Sequence, residues 1–157
     1  MDYVIEERQL QPAVTAVEHF HVPVAQIPNV IGKAYGDVAA AVMSGGNEFA
    51  GPPFARYFLE EPPAEGEAFD FEAGFPVARP IMTAGDVKPG QLPGGRAIVT
   101  THVGPYDTMG PAYDALHRWM EEHHRQPDGA PWEVYFSDPE QTDPSQFRTE
   151  IVQPLAG

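Results

Sequence analysis

Cysteine is absent from the 157 residues, which excludes disulfides, thiolate nucleophiles and thiolate metal sites together and points to a cytoplasmic protein. Basic residues are scarce: 9 Lys and Arg stand against 23 Asp and Glu, for a net charge of −14. A chain so acidic repels phosphate backbones, so a nucleic-acid partner is not expected. The same field favours cationic ligands. No apolar run approaches the roughly 20 residues of a membrane span. The start, MDYVIEERQLQ, also lacks the basic and apolar stretches of a secretory signal.

Chemical motifs are missing too. No glycine-rich loop follows a strand, and no serine nucleophile motif is visible. His117, Glu121 and His124 share one helix face at the spacing of a metal site. No HExxH pattern or further ligand cluster joins them, so they read as a solvated face, with no metal and no cofactor expected.

What is present is a folded composition, 42% hydrophobic and 11% aromatic, in a length suited to one domain spanning 1–157. The last quarter, Trp132 to Leu155, reads as a hairpin of two strands around a polar loop. Successive strand side chains point to opposite faces. With Asp138 set opposite Phe147, Tyr135 falls opposite Glu150, and a tyrosine and an acid would share one face. Such a pair suits a bound ligand.

The same hairpin occurs 78 positions earlier. Ala34, Tyr35, Gly51, Pro53, Tyr57, Phe58, Phe69, Glu72 and Pro76 all recur, nine identities over the 45 positions from Lys33 to Val77. Chance would give about three. The chain therefore reads as two copies of one unit, about 13–77 and 96–155, joined by a turn-rich linker over 78–95. In the first copy, Tyr57 and Glu72 are the mates of Tyr135 and Glu150.

Taken in order, Tyr3 to Arg8 suits a short edge strand. In Ala13–Val22, Val14, Ala16, Phe20 and Val22 share a face opposite His19 and His21. From Ile27 to Ser44 the apolar spacing becomes helical, with Ile31, Ala34, Tyr35, Val38 and Val42 on one stripe and Gly45-Gly46 as the stop. Strands are expected over Phe54–Glu60, Ala68–Val77 and Gly95–His102, and a second helix over Thr108–His124. The fold class is α+β: tandem strand–helix–strand–strand repeats giving a mainly antiparallel, curved sheet with two helices. Phe54, Phe58, Phe69, Trp132, Phe136 and Phe147 are expected beneath the helices. His21 and His102 are expected at matching points on the first strands, with a groove between the halves.

These features resemble the GyrI-like (gyrase-inhibitor-like) effector-binding domains. The resemblance is carried by Gly104-Pro105-Tyr106 before the second helix, Val134-Tyr135 in the next strand, and Thr149-Glu150-Ile151 with Pro154 at the end. It implies a pocket for hydrophobic, often cationic small molecules, with Glu150 as its acid and Tyr135 in its wall. Tyr106, His102, Tyr57, Glu72 and His21 complete the candidate ligand-binding set. No helix-turn-helix segment precedes the first copy, so a stand-alone ligand sensor or sequestering domain is expected. Two alternatives stay open: a hydrolase of strained electrophiles such as cyclopropane compounds, with Glu150 as base and Tyr135 as donor, and a protein-interaction module of the gyrase-inhibitor kind.

The charge yields a first expectation. The protein leaves random duplex DNA unshifted at physiological salt, because its net charge opposes counterion release. A retarded band that fades as salt rises would contradict this.

Overall fold

The computed structural model describes residues 3–58, 66–105, 108–137 and 141–156. It is an α+β fold of eight strands and two helices: β1 Glu6–Leu10, β2 Ala13–Pro23, α1 Ile27–Ser44, β3 Phe54–Tyr57, β4 Ala68–Pro76, β5 Lys88–Leu92, β6 Gly95–Val103, α2 Gly110–Glu122, β7 Trp132–Tyr135 and β8 Arg148–Pro154. The chain divides into two compact units, Pro12–Pro93 and Met1–Gln11 with Gly94–Gly157. Among the described residues no helix is long and apolar enough to cross a membrane.

In the unit from Pro12 to Pro93, β4 pairs antiparallel with both β2 and β3, and β5 pairs with β2. The Pro/Gly stretch read as a bare linker therefore contains a strand. Its Gly90 lies opposite Thr15, where a Cβ would come 2.7 Å from Thr15 Oγ1. Helix α1 covers one face of the sheet. Ala34, Val38 and Val42 follow one another at i+4 and are fully buried against Ala16, Phe69, Phe71 and Ala73. Burial of each of the two valines contributes about 1.5–3 kcal/mol. The helix ends at Gly45-Gly46, where Gly46 takes φ 69° and Asn47 N–H reaches back to Val42 O.

The other unit repeats the plan. β8 pairs with β6 and β7, and β1 closes the edge beside β6. Helix α2 lays Ala112, Leu116 and Met120 on Ile98, Ile151 and Leu155. Pro111 falls in its first turn, where a missing N–H costs nothing.

The hairpin register differs from the sequence expectation by one residue. Tyr135 lies opposite Thr149, and Glu150 lies opposite Val134. A slip of one residue moves a side chain to the other face, so Tyr135 and Glu150 point away from each other. The first copy obeys the same register: Tyr57 opposes Phe71 and Glu72 opposes Arg56. Of the six aromatics expected under the helices, Phe69 packs in the α1-covered cluster and Phe147 is buried. Phe54 and Trp132 are buried on the opposite faces, paired with Gly74 and Val152. Phe58 and Phe136 are exposed, each beneath a guanidinium, Arg56 and Arg148 respectively. Nor do His21 and His102 match. Glu72 and Glu150 are 78 apart, but their β2 and β6 partners His19 and Thr101 are 82 apart, so His102 corresponds to Phe20.

One polar group lies under α1. Glu18, on β2, is 2% exposed, and its Oε2 has no hydrogen-bond partner among the described residues. Burial, reinforced by the neighbouring Asp37 carboxylate and opposed by Lys33, pushes its pKa up to about 7. Lys33 Nζ stands 3.6 Å from Glu18 Oε1 and 2.6 Å from Asp37 Oδ2. A carboxyl raised in the fold binds more protons folded than unfolded. Stability conferred by the neutral form is therefore lost as pH rises from about 4.5 to about 7. In urea titrations Glu18→Gln should flatten the fall in stability over that window and exceed wild type at pH 8. An unchanged slope would show that Glu18 is ionised throughout.

Candidate functional site

The α2-covered face of β6, β8 and β7 carries a row of polar side chains. Residues opposite one another in an antiparallel pair share a face, so His102, Thr149 and Tyr135 lie in one row across three strands. Thr100, Ile151 and Glu133 form the next row. Here α2 contributes Tyr113 from its first turn.

Glu133 is the centre of this layer. Its carboxylate is buried, and two phenols donate to it: Tyr113 to Oε2, and Tyr135 to Oε1 at 2.8 Å. Burial drives the Glu133 pKa upward, while the two tyrosine hydrogen bonds and nearby His102 favour its ionised form. Thr149 is fully buried and its hydroxyl has no partner among the described residues, a polar position left open within the same layer.

His102 is saturated instead. Its Nδ1 lies 2.9 Å from Tyr3 Oη, and its Nε2 lies 3.0 Å from Thr108 Oγ1 and 3.2 Å from Pro105 O. With both ring nitrogens engaged and 3% of its surface exposed, it has no free polar edge for a ligand.

The remaining candidates lie elsewhere. Glu150 faces the other side of β8, where Arg8 Nη1 holds it at 3.0 Å and Arg8 Nε also binds Glu6. Tyr57 packs under α1 beside Phe69 and Phe71. Glu72 lies across the strand from Arg56 and His19. His21 is exposed and, with His19, meets Asp70 Oδ1 at 2.9 and 3.2 Å. Tyr106 lies outside the described residues. The structure thus brings together Tyr135 and His102 from the expected set, with Glu133, Tyr113 and Thr149, which sequence reasoning missed. The repeat could not flag Glu133, because its mate 78 positions earlier is Ala55. The signal that existed was local: Glu133 and Tyr135 are two apart on one strand and so share a face. Among the described residues no group of three or more His, Asp or Glu side chains is arranged to hold a metal.

Two copies of a helix-on-sheet unit, one of them with a buried carboxylate met by tyrosines, define an α+β domain of the small-molecule-binding type. The chain belongs to the GyrI-like small molecule binding domain family, whose model matches residues 1–156. Among solved structures, the EcmrR C-terminal domain is 22% identical over 99% of each chain, with a TM-score of 0.86. A hydrolase encoded by lin2189 from Listeria innocua is 14% identical over 97% of this chain and 91% of its own, with a TM-score of 0.70. SAV2435 bound to tetraphenylphosphonium is 13% identical over 100% of this chain and 95% of its own, at 0.53. At such identities the likeness concerns the fold. No curated protein matches the chain.

Proposed function

We propose that this chain binds hydrophobic, aromatic cations, with Glu133 as the anionic anchor and Tyr113 and Tyr135 as the adjoining wall, and that it serves to sense or sequester them. One observation carries the reading: a carboxylate under a helix, held by two phenols and, among the described residues, paired with no Arg or Lys. A site built for a permanent ion pair would show a guanidinium there, as Glu150 has Arg8. Phenol donors stabilise the carboxylate yet leave its net charge uncompensated, which a lipophilic cation can meet. Their rings add attraction to positive charge, about 0.5–2 kcal/mol each. Membership of a small-molecule-binding family supports the reading. So does SAV2435, a relative in fold whose structure contains such a cation.

Titration calorimetry with tetraphenylphosphonium should give a dissociation constant in the micromolar range, about −8 kcal/mol. Glu133→Gln keeps shape and removes charge, and should cost about 1–3 kcal/mol. Neutral triphenylphosphine oxide should lose much less. Glu150→Gln, on the opposite face, should change little. The reverse pattern would transfer the anchor to Glu150. Because burial raises the Glu133 pKa and a cation needs it ionised, affinity should fall as pH drops through that raised pKa, with a proton released on binding. Affinity independent of pH, with no proton release across buffers of different ionisation heat, would remove Glu133 as the anchor.

One observation favours a second reading, hydrolysis of a strained electrophile. A carboxylate kept from water beside tyrosine hydroxyls offers a base for water and a donor for a leaving atom. Simple esters lack strain to release and should not turn over. An activated cyclopropane should give product by mass spectrometry, at least tenfold less with Glu133→Gln. Equal product from both proteins would take Glu133 out of any chemistry.

A further inference from the structure

His102 is fully engaged, and its hydrogen-bond partners are Tyr3, Pro105 and Thr108. These contacts lead to one of the tyrosines that hold Glu133. The carbonyl of Pro105 is only an acceptor, so the His102 Nε2 within 3.2 Å of it carries a proton. The Thr108 hydroxyl donates to the same carbonyl at 2.8 Å and so receives from Nε2 with its lone pair. The opposite nitrogen, Nδ1, then accepts from the Tyr3 hydroxyl. In its neutral form the ring is thus the Nε2–H tautomer. Its contacts run into α2: Thr108 N–H bonds Pro105 O, and the next carbonyl, Met109 O, receives the N–H groups of Ala112 and Tyr113.

A second, independent feature belongs to the same arrangement. Gly104 takes φ 139°, a conformation side chains rarely adopt, and a Cβ there would lie 3.3 Å from His102 Nε2 and 3.5 Å from Thr108 Oγ1. The space beside Nε2 is kept clear by glycine, and the Gly104 N–H is itself fixed on Phe147 O at 2.8 Å. His102, Gly104, Pro105 and Thr108 form one local device within HVGPYDT.

We propose that His102 is the positioning residue of the Glu133 site: through Nε2–H it fixes Pro105 and Thr108, and with them the end of α2 from which Tyr113 reaches the carboxylate. It is not a ligand contact. The Tyr3 bond at Nδ1 anchors the ring and is subsidiary to this role. The inference rests on Glu133 being the site's acid, and its main readout needs no ligand.

Two neutral replacements separate the halves of the ring. Gln places an amide N–H near the position of Nε2, whereas Asn places its carbonyl oxygen near Nδ1. Both remove the imidazole equally, so a difference between His102→Gln and His102→Asn reports the clamp alone. In the full chain, long-range nitrogen NMR should show the Nε2–H tautomer; an Nδ1–H ring would overturn the proposal. Carbon NMR of the Glu133 carboxyl should give a higher titration midpoint in His102→Asn than in His102→Gln, because a misplaced Tyr113 no longer favours the ionised form. Coincident curves would overturn it. If His102→Asn does not fold, Thr108→Val, nearly the same shape, replaces it in the comparison with the same outcomes. For tetraphenylphosphonium, His102→Gln should stay within about threefold of wild type and His102→Asn should lose about tenfold or more, roughly 1.4 kcal/mol. Should wild type bind no cation at all, the functional reading fails while the carboxyl titrations still decide the role of His102.

Discussion

A carboxylate placed between a helix and a sheet costs several kcal/mol unless donors meet it there, and both units of this chain carry one. They resolve the cost differently. Glu18, under α1, lies 3.6 Å from an ammonium and beside a second carboxylate, and its pKa is pushed up to about 7. Near neutrality it escapes part of the cost by holding a proton. Glu133, under α2, receives two phenol hydrogen bonds, which lower the energy of its charged form without neutralising it. The first arrangement is closed by groups of the chain itself. In the second, burial likewise raises the pKa while the phenols favour the charged form, and among the described residues no Arg or Lys is paired with the carboxylate, which is why the functional proposal falls on α2 and not on α1.

Glu150 is a useful contrast because its local sequence is the more suggestive. It sits beside Arg8 at 3.0 Å, with its side chain 13% exposed, and Arg8 also meets Glu6 at 2.9 Å. Pairing of this kind ties β1 to β8 across β6, strands that are not direct neighbours. It also supplies from within the chain the cation that a ligand would otherwise bring. A ligand drawn to Glu150 must displace a guanidinium, and one drawn to Glu133 only loosens two hydroxyls.

Much of this was legible in the residues. Helix α1 spans the range its apolar spacing defines, and the alternation in β2 places Ala16 and Phe20 inward with His19 and His21 outward. Hydrophobic periodicity is local, so it survives without knowledge of partners. Register is not local. In the hairpin, both phases of Arg148–Pro154 look acceptable, because Thr149, Ile151 and Gln153 are buried on one face and Val152 and Pro154 on the other. A strand buried on both sides gives no alternation to fix its phase, so setting Asp138 opposite Phe147 places Glu150 on the other face from the one it occupies. The Pro/Gly composition of 88–92 hid β5 for a related reason: an edge strand tolerates Pro89, and its ladder with β2 is invisible in its own sequence.

The shift from an offset of 78 to one of 82 has its own physical content. From Phe20 to Tyr57 the first copy uses four more residues than the second does from His102 to Tyr135, close to one turn of helix, and α1 is correspondingly 18 residues against 13 for α2. Because the hairpins keep their register, the difference is absorbed in the segment from the first strand through the helix. In the second copy that shorter path runs through Gly104 and the His102 contacts before α2 begins, where the first copy has Phe20 in the place of His102, packed on Phe71. An apolar ring in one copy and a hydrogen-bonding ring in the other is a small exchange on matching strands. Its consequence is large, because only the second can fix a polar turn, and only the second copy has an acid opposite its helix tyrosine: Glu133 against Ala55, with Tyr35 bonded instead to Phe54 O. The asymmetry at the acid and the asymmetry at the first strand thus fall in the same copy, as expected if a buried carboxylate requires its donors to be held in place.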